Sequence, residues 1–201
     1  MPVIGVTGSF GSGKSLVAAM FKQRGASVFD ADKAVHVLLA GKGPAVKSIV
    51  AVFGKEISGK KGIDRAALAR VVFDNPKKMK RLTGILHPFV LREAEIFIRR
   101  HSMRRLVVLD VPLLIESGWV RMVDRVVVVK AGVTQQVERV FKRAGIRRQD
   151  ALKRIKLQMP LRKKLKYADY VVDNRGSQAD TDIQVQGIID DLKMNDRKKK
   201  V

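Results

Sequence analysis

The chain contains no cysteine. That excludes disulfide staples, thiolate metal sites and a cysteine nucleophile, and it fits a reducing compartment. Aromatic residues make up only 5%, which argues against stacking platforms for single-stranded nucleic acid. No run of eighteen apolar residues occurs, so neither a membrane span nor a membrane partner is expected. The opening Met1-Pro2-Val3-Ile4-Gly5-Val6 shows no basic segment and no small-residue cleavage site; a soluble, cytoplasmic protein is the expectation. Acidic residues are few: 19 stand against 41 Lys and Arg, a formal charge of +22.

What is present points to a folded enzyme-sized domain. Hydrophobic residues form 46% of 201 residues, too many for a disordered chain and enough for one main domain with a modest insertion. The positive charge invites a polyanion: nucleic acid, anionic lipid or a phosphate-rich small molecule. It is unevenly placed. Between Arg139 and Lys166 twelve residues are Lys or Arg and one, Asp150, is acidic, while Arg197-Lys198-Lys199-Lys200 reads as a solvated terminus.

Short, unalternating apolar runs at Val3–Thr7, Ser27–Phe29, Leu106–Val111, Arg125–Val129 and Tyr170–Val172 suggest parallel strands covered on both faces. A helix carrying Val17, Met20 and Phe21 follows the first strand and stops at Arg24-Gly25. Between the second and third strands, about seventy residues read almost wholly as helix. Val46, Ile49, Val50 and Phe53 form one stripe; Arg65–Phe73 carries Leu68, Val71 and Val72; Pro76 and Pro88 each open a helix. The segment is too long for a simple crossover and reads as a helical insertion near the ligand-binding edge of an open α/β sheet. The last helix, about Thr181–Lys193, places Val185, Ile188, Ile189 and Leu192 on the sheet.

Gly8-Ser9-Phe10-Gly11-Ser12-Gly13-Lys14-Ser15 matches G-x-x-x-x-G-K-[ST], between an expected strand and an expected helix. The glycines let the loop curl so that its N–H groups face phosphate oxygens, and the helix N-terminus adds positive potential. Lys14 is placed for the β- and γ-phosphates and the Ser15 hydroxyl for Mg²⁺. The ligand is a nucleoside triphosphate. Asp30-Ala31-Asp32 ends the second strand, where a carboxylate either takes the proton of an attacking hydroxyl or caps the helix Lys33–Leu39, a role that suits Asp32. Asp110 ends the third strand, either as a metal-holding acid acting through water or as a turn residue. Val137, Val140 and Phe141 turn one helix face inward and leave Arg139, Lys142 and Arg143 outside, as in a closing lid of a phosphoryl-transfer enzyme.

In order along the chain come the loop, Val28-Phe29-Asp30-Ala31-Asp32, Phe53-Gly54, Ile63-Asp64-Arg65, Val72-Phe73, His87-Pro88 and Val111-Pro112-Leu113-Leu114-Ile115-Glu116. Gln136-x-x-Arg139, Arg143, Gln158-Met159-Pro160, Lys164 and Ala168-Asp169-Tyr170-Val171-Val172-Asp173-Asn174-x-Gly176 follow. This set resembles the dephospho-CoA kinase family from Val3 to about Leu192. The resemblance implies a phosphate-loop, nucleotide-kinase-like three-layer α/β fold on a five-stranded parallel sheet. Its core would span 1–31 and 105–193 with a lid at about 134–166, its substrate-binding insertion 32–104 and its basic tail 194–201. It implies transfer of the ATP γ-phosphate to the ribose 3′-hydroxyl of dephospho-CoA, with Mg²⁺, by a monomer or weak homo-oligomer. Asp32 matches the general base, and Lys14 and Arg139 the phosphate stabilisers. Gly8, Gly11, Ser12, Gly13, Lys14, Ser15, Leu16, Arg139, Arg143 and Asn174 match the ATP site. Asp32, Arg65, His87, Leu113 and Glu116 match the acceptor site, and Ser15 and Asp110 the metal site.

Two positions depart from the family pattern. Leu16 stands where Thr or Ser is usual, an expected loss of roughly 1 kcal/mol in ATP binding. Arg162-Lys163 replace an acidic pair before Lys164, which strengthens attraction of anionic substrates or reflects composition alone. The competing readings are a nucleoside monophosphate kinase, which would lack the P-L-L-x-E and H-P blocks, and a basic nucleic-acid-binding NTPase. The short chain and the scarcity of aromatics speak against nucleic acid.

Overall fold

The computed structural model describes residues 2–72, 75–101, 103 and 106–198. Phe73, the boundary at 104–105 and the terminal residues 199–201, on which some of the expectations above fall, lie outside the described residues. Tertiary contacts divide the chain into two compact units, Met1–Phe29 with Ile98–Val201, and Asp30–Phe97.

The first unit is organised by strand β1 (Val3–Gly8), every residue of which is buried. With no polar face to hydrate, such a strand is stable only in the middle of a sheet. The sheet order is β2-β5-β1-β6-β7, where β2 is Ser27–Asp30, β5 Val107–Asp110, β6 Arg125–Lys130 and β7 Tyr170–Asp173. The register is parallel: Val6 pairs Asp110 on one side and Val127 on the other, and Val129 pairs Val172. Parallel pairing brings the ends of β1, β5 and β6 to one edge, which is where the glycine-rich loop begins. Helices α1 (Lys14–Gln23) and α9 (Gln178–Lys198) pack together on the sheet. Phe21, Val17 and Val185 are fully buried there with Ile4, Val108 and Val127. Each such side chain contributes about 1.5–3 kcal/mol by leaving water. Gly25 has φ 89 just after the end of α1, the left-handed stop its position suggested.

Farther along the same unit, α6 (Val133–Ala144) and α7 (Arg148–Leu157) form a hairpin, followed by α8 (Leu161–Lys164). Val137, Val140 and Ala151 make its small core, joined by Phe10 from the glycine-rich loop. Phe141, expected to face inward, is 59% exposed. The buried stripe is centred on Gln136 and Val140, which puts position 141 about a quarter turn away at ~100° per residue.

The second unit is mostly helical, with α2 (Ala31–Leu39), α3 (Pro44–Phe53), α4 (Arg65–Val72) and α5 (Pro76–His101), of which Ile98 onward lies in the first unit. Ile49, Phe53, Ile57, Leu68, Leu82 and Leu86 pack into one cluster. Three expectations are corrected here. A two-stranded antiparallel hairpin, β3 (Ser58–Gly59) and β4 (Gly62–Ile63), interrupts the helices; its two-residue Lys60-Lys61 loop is too short to register as periodicity. Pro88 does not open a helix but lies inside α5. Leu82, Leu86, Val90 and Ala94, all buried, recur every four residues across it, so packing of one continuous stripe outweighs one lost backbone bond. The cap of α2 is Asp30, whose Oδ1 accepts from the Lys33 amide at 2.9 Å. The helix starts at Ala31, so Asp32 lies in its first turn and is not the cap.

Candidate nucleotide-binding site

The glycine-rich loop runs from the end of β1 to the start of α1. Gly13 sits at φ 95 as the residue before α1, and Gly11 at φ 76. At Gly11 a Cβ would lie 2.7 Å from the Gln136 carbonyl oxygen, and at Gly13 it would collide with the Asn174 side-chain amide. Both positions therefore demand glycine on backbone and contact grounds. The Ser12 amide donates to Ser9 O at 3.1 Å, which closes the curl. Lys14 is 8% exposed. Its ammonium donates to Gly8 O at 3.2 Å and Ser9 O at 3.0 Å, so the charge is held within the loop. The Ser12 hydroxyl is buried and lacks a hydrogen-bond partner among the described residues.

The loop is braced from behind. Asn174, 2% exposed, follows β7 and donates its Nδ2 to Ser12 O at 2.8 Å, while its Oδ1 accepts from Thr181 Oγ1 at 3.1 Å. Arg139, expected on the outer face of its helix, turns to donate Nη2 to Asn174 O at 2.8 Å, with a longer 3.5 Å contact from Nη1 to Ser12 O. Asn174, Arg139 and the loop therefore meet in one hydrogen-bonded group. Beside it, Arg175 and then Lys130 hold the Asp173 carboxyl well below the usual carboxylate range. Thr181 carries no motif; its only sequence signal is a hydroxyl near the start of α9.

The other expected residues are distributed as follows. Leu16 packs against the main core, so this position contributes apolar contact. Ser15 is exposed at the start of α1 and Arg143 is exposed on α6. Asp110, 5% exposed, ends β5. Leu113 is 39% exposed. Glu116 is engaged: its carboxylate pairs with Lys164 Nζ at 2.9 Å and accepts from the Met159 amide at 3.0 Å. Lys164, fully buried, also donates to Pro112 O at 3.0 Å, and that carbonyl accepts from Thr7 Oγ1 at 3.1 Å. In the second unit, Asp32 and Arg65 are exposed in the first turns of α2 and α4, and His87 is half-buried in the middle of α5.

A magnesium ion suits the donors present. Among the described residues no group of three or more His, Cys, Asp or Glu side chains gathers to hold a metal. One hydroxyl, Ser15, and one strand-end carboxylate, Asp110, are the set expected when most ligands come from phosphate oxygens and water.

A parallel sheet with the G-x-x-x-x-G-K-S loop at the end of its central strand defines the class: an α/β phosphate-loop protein. A family model described as dephospho-CoA kinase matches residues 2–180. The dephospho-CoA kinase of Carboxydothermus hydrogenoformans is 39% identical over 203 residues, covering 100% of this chain and 98% of that protein. The crystal structure of TT1252 from Thermus thermophilus superposes with a TM-score of 0.80 at 34% identity, over 95% of this chain and 97% of the other. The dephospho-CoA kinase structure from Campylobacter jejuni shares the fold with a TM-score of 0.64 at 24% identity, over 95% and 97%. The chain belongs to the dephospho-CoA kinase family.

Proposed function

We propose that the protein transfers the γ-phosphoryl group of ATP to the ribose 3′-hydroxyl of dephospho-CoA, giving coenzyme A and ADP, in the cytoplasm. The observation that carries this reading is the family match across residues 2–180, within which the phosphate loop holds a buried lysine. A nucleoside monophosphate kinase is not favoured by that match.

In this reading the amides from Gly11 to Leu16 bind the β- and γ-phosphates, and Lys14 exchanges its loop carbonyls for phosphate oxygens. Arg139 and Arg143 add positive charge as negative charge spreads over the transferring group, with Asn174 on the nucleotide side. Ser15 and Asp110 would hold Mg²⁺, which would supply charge neutralisation at the phosphates. Asp32 accepts the proton of the acceptor hydroxyl as its oxygen bonds to the γ-phosphorus and the bond to ADP breaks. Arg65, His87, Leu113 and Glu116 serve the acceptor. Residues 32–104 form the acceptor-binding insertion and about 134–166 the lid.

The test is ADP release from Mg-ATP with dephospho-CoA, adenosine, AMP, CMP and shikimate as competing acceptors. Turnover with dephospho-CoA well above the others is expected, with the product phosphorus resonance assigned to the 3′ position. Preferred use of AMP or CMP, or no transfer to dephospho-CoA, would overturn the reading.

A further inference from the structure

The third residue of the phosphate loop is held by the α6–α7–α8 segment through two separate contacts. The Phe10 amide donates to Gln158 Oε1 at 2.7 Å. The Phe10 ring joins the small core of Val137, Val140 and Ala151, with the Arg154 guanidinium 5.3 Å from its centroid. Gln158 is itself firmly placed. It directly precedes Met159, whose amide is taken by Glu116, and Glu116 is locked by the buried Lys164. A loop whose function is to aim amides gains from having one peptide fixed from behind, because the order is then present before the ligand arrives.

We propose that Gln158 is a positioning residue for nucleotide binding: by accepting the Phe10 amide it fixes the phosphate loop in its binding shape and ties it to the α6–α7 hairpin. The proposal rests on the reading of the loop as the ATP site. Loop order is needed equally in the ATP complex and in the transition state, so its loss weakens both alike and appears in KM.

Gln158→Met keeps the length and removes the acceptor, whereas Gln158→Glu keeps an acceptor oxygen. For Gln158→Met the KM for ATP and the Kd for a non-hydrolysable ATP analogue are expected to rise about fivefold, the equivalent of one neutral hydrogen bond. The kcat and the KM for dephospho-CoA should stay within about twofold, the pattern of lost uniform binding. Hydrogen exchange at the Phe10 amide should accelerate in Gln158→Met and stay slow in Gln158→Glu. A merely structural glutamine would lower the melting temperature and leave the ATP constants unmoved, and that outcome overturns the proposal. Tighter analogue binding overturns it too, because Gln158 would then compete with the triphosphate for the amide. Should Gln158→Met fail to fold, Gln158→Asn, one methylene short of Phe10, is judged by the same constants. If the wild type transfers no phosphate to dephospho-CoA, the functional reading falls, while analogue affinity and amide exchange still decide the role of Gln158.

Discussion

The two units differ in how deeply they hold some of their polar groups. In the sheet unit several polar groups around the phosphate loop are bonded to one another, with Lys14, Asn174 and Lys164 buried: Lys14 to loop carbonyls, Asn174 and Arg139 to Ser12, and Glu116 to Lys164. In the helical unit Asp32 and Arg65 stand exposed in the first turns of helices. A site that grips a fixed triphosphate is best preorganised. Groups proposed to meet an acceptor, such as Asp32 and Arg65, are accessible to it. Damage to the first kind should therefore register in stability and nucleotide affinity, and damage to the second in turnover.

The sharpest way to break this contrast is Asp32→Asn. Replacing Asp32, the proposed general base, should lower kcat by at least ~10² with little change in ATP affinity, read by steady-state kinetics beside analogue binding. A loss confined to KM would make Asp32 a binding residue. Next is Lys164→Met, which leaves the Pro112 carbonyl and the Glu116 carboxylate without their buried cation. The pair is only partly hidden on the Glu116 side, so the cost should be about 2–3 kcal/mol, below that of a fully buried pair, measured as a shift in the urea midpoint. Smaller still is Leu16→Thr. A hydroxyl at this position should lower the ATP KM by a factor equivalent to ~1 kcal/mol while the lost core contact lowers the melting temperature. An unchanged KM would mean that position 16 serves packing alone.

The smallest effect concerns Asp173. Arg175 and Lys130 favour its charged form, so its folded-state pKa lies below its unfolded value. Its contribution is then fully present above the unfolded pKa of 3.8 and fades as the pH falls toward the folded value. The melting-temperature gap between wild type and Asp173→Asn should be flat from about pH 7 to 5 and shrink at ~pH 3.5. A gap that grows on acidification would sink this assignment.

Much of the sheet unit was legible from residue order. Five apolar runs became five strands. The inner three, β5, β1 and β6, are buried on both faces and need apolar side chains on both, whereas β2 and β7, at the edges, are only partly covered. The glycine pattern placed the loop between β1 and α1. The helical unit was less legible. The β3–β4 hairpin is too short for periodicity to report, and Pro88 looked like a boundary although a buried stripe carries α5 past it. Phe141 and Arg139 were misdirected because a helix's inward face depends on what it packs against, and here that is Phe10 and the loop backbone.

The amino-acid order by itself determined the phosphate loop, the strand set and the family resemblance, all consequences of local backbone demands and short-range patterning. Only the tertiary structure decided that Asn174, Arg139 and Thr181 brace the loop, that Glu116 is spoken for by Lys164, and that Gln158 reaches Phe10. Those contacts join residues from 7 to 162 positions apart in the chain. Hydrogen bonds over such separations exist only once the strands have registered and the helices have docked, so no local pattern encodes them.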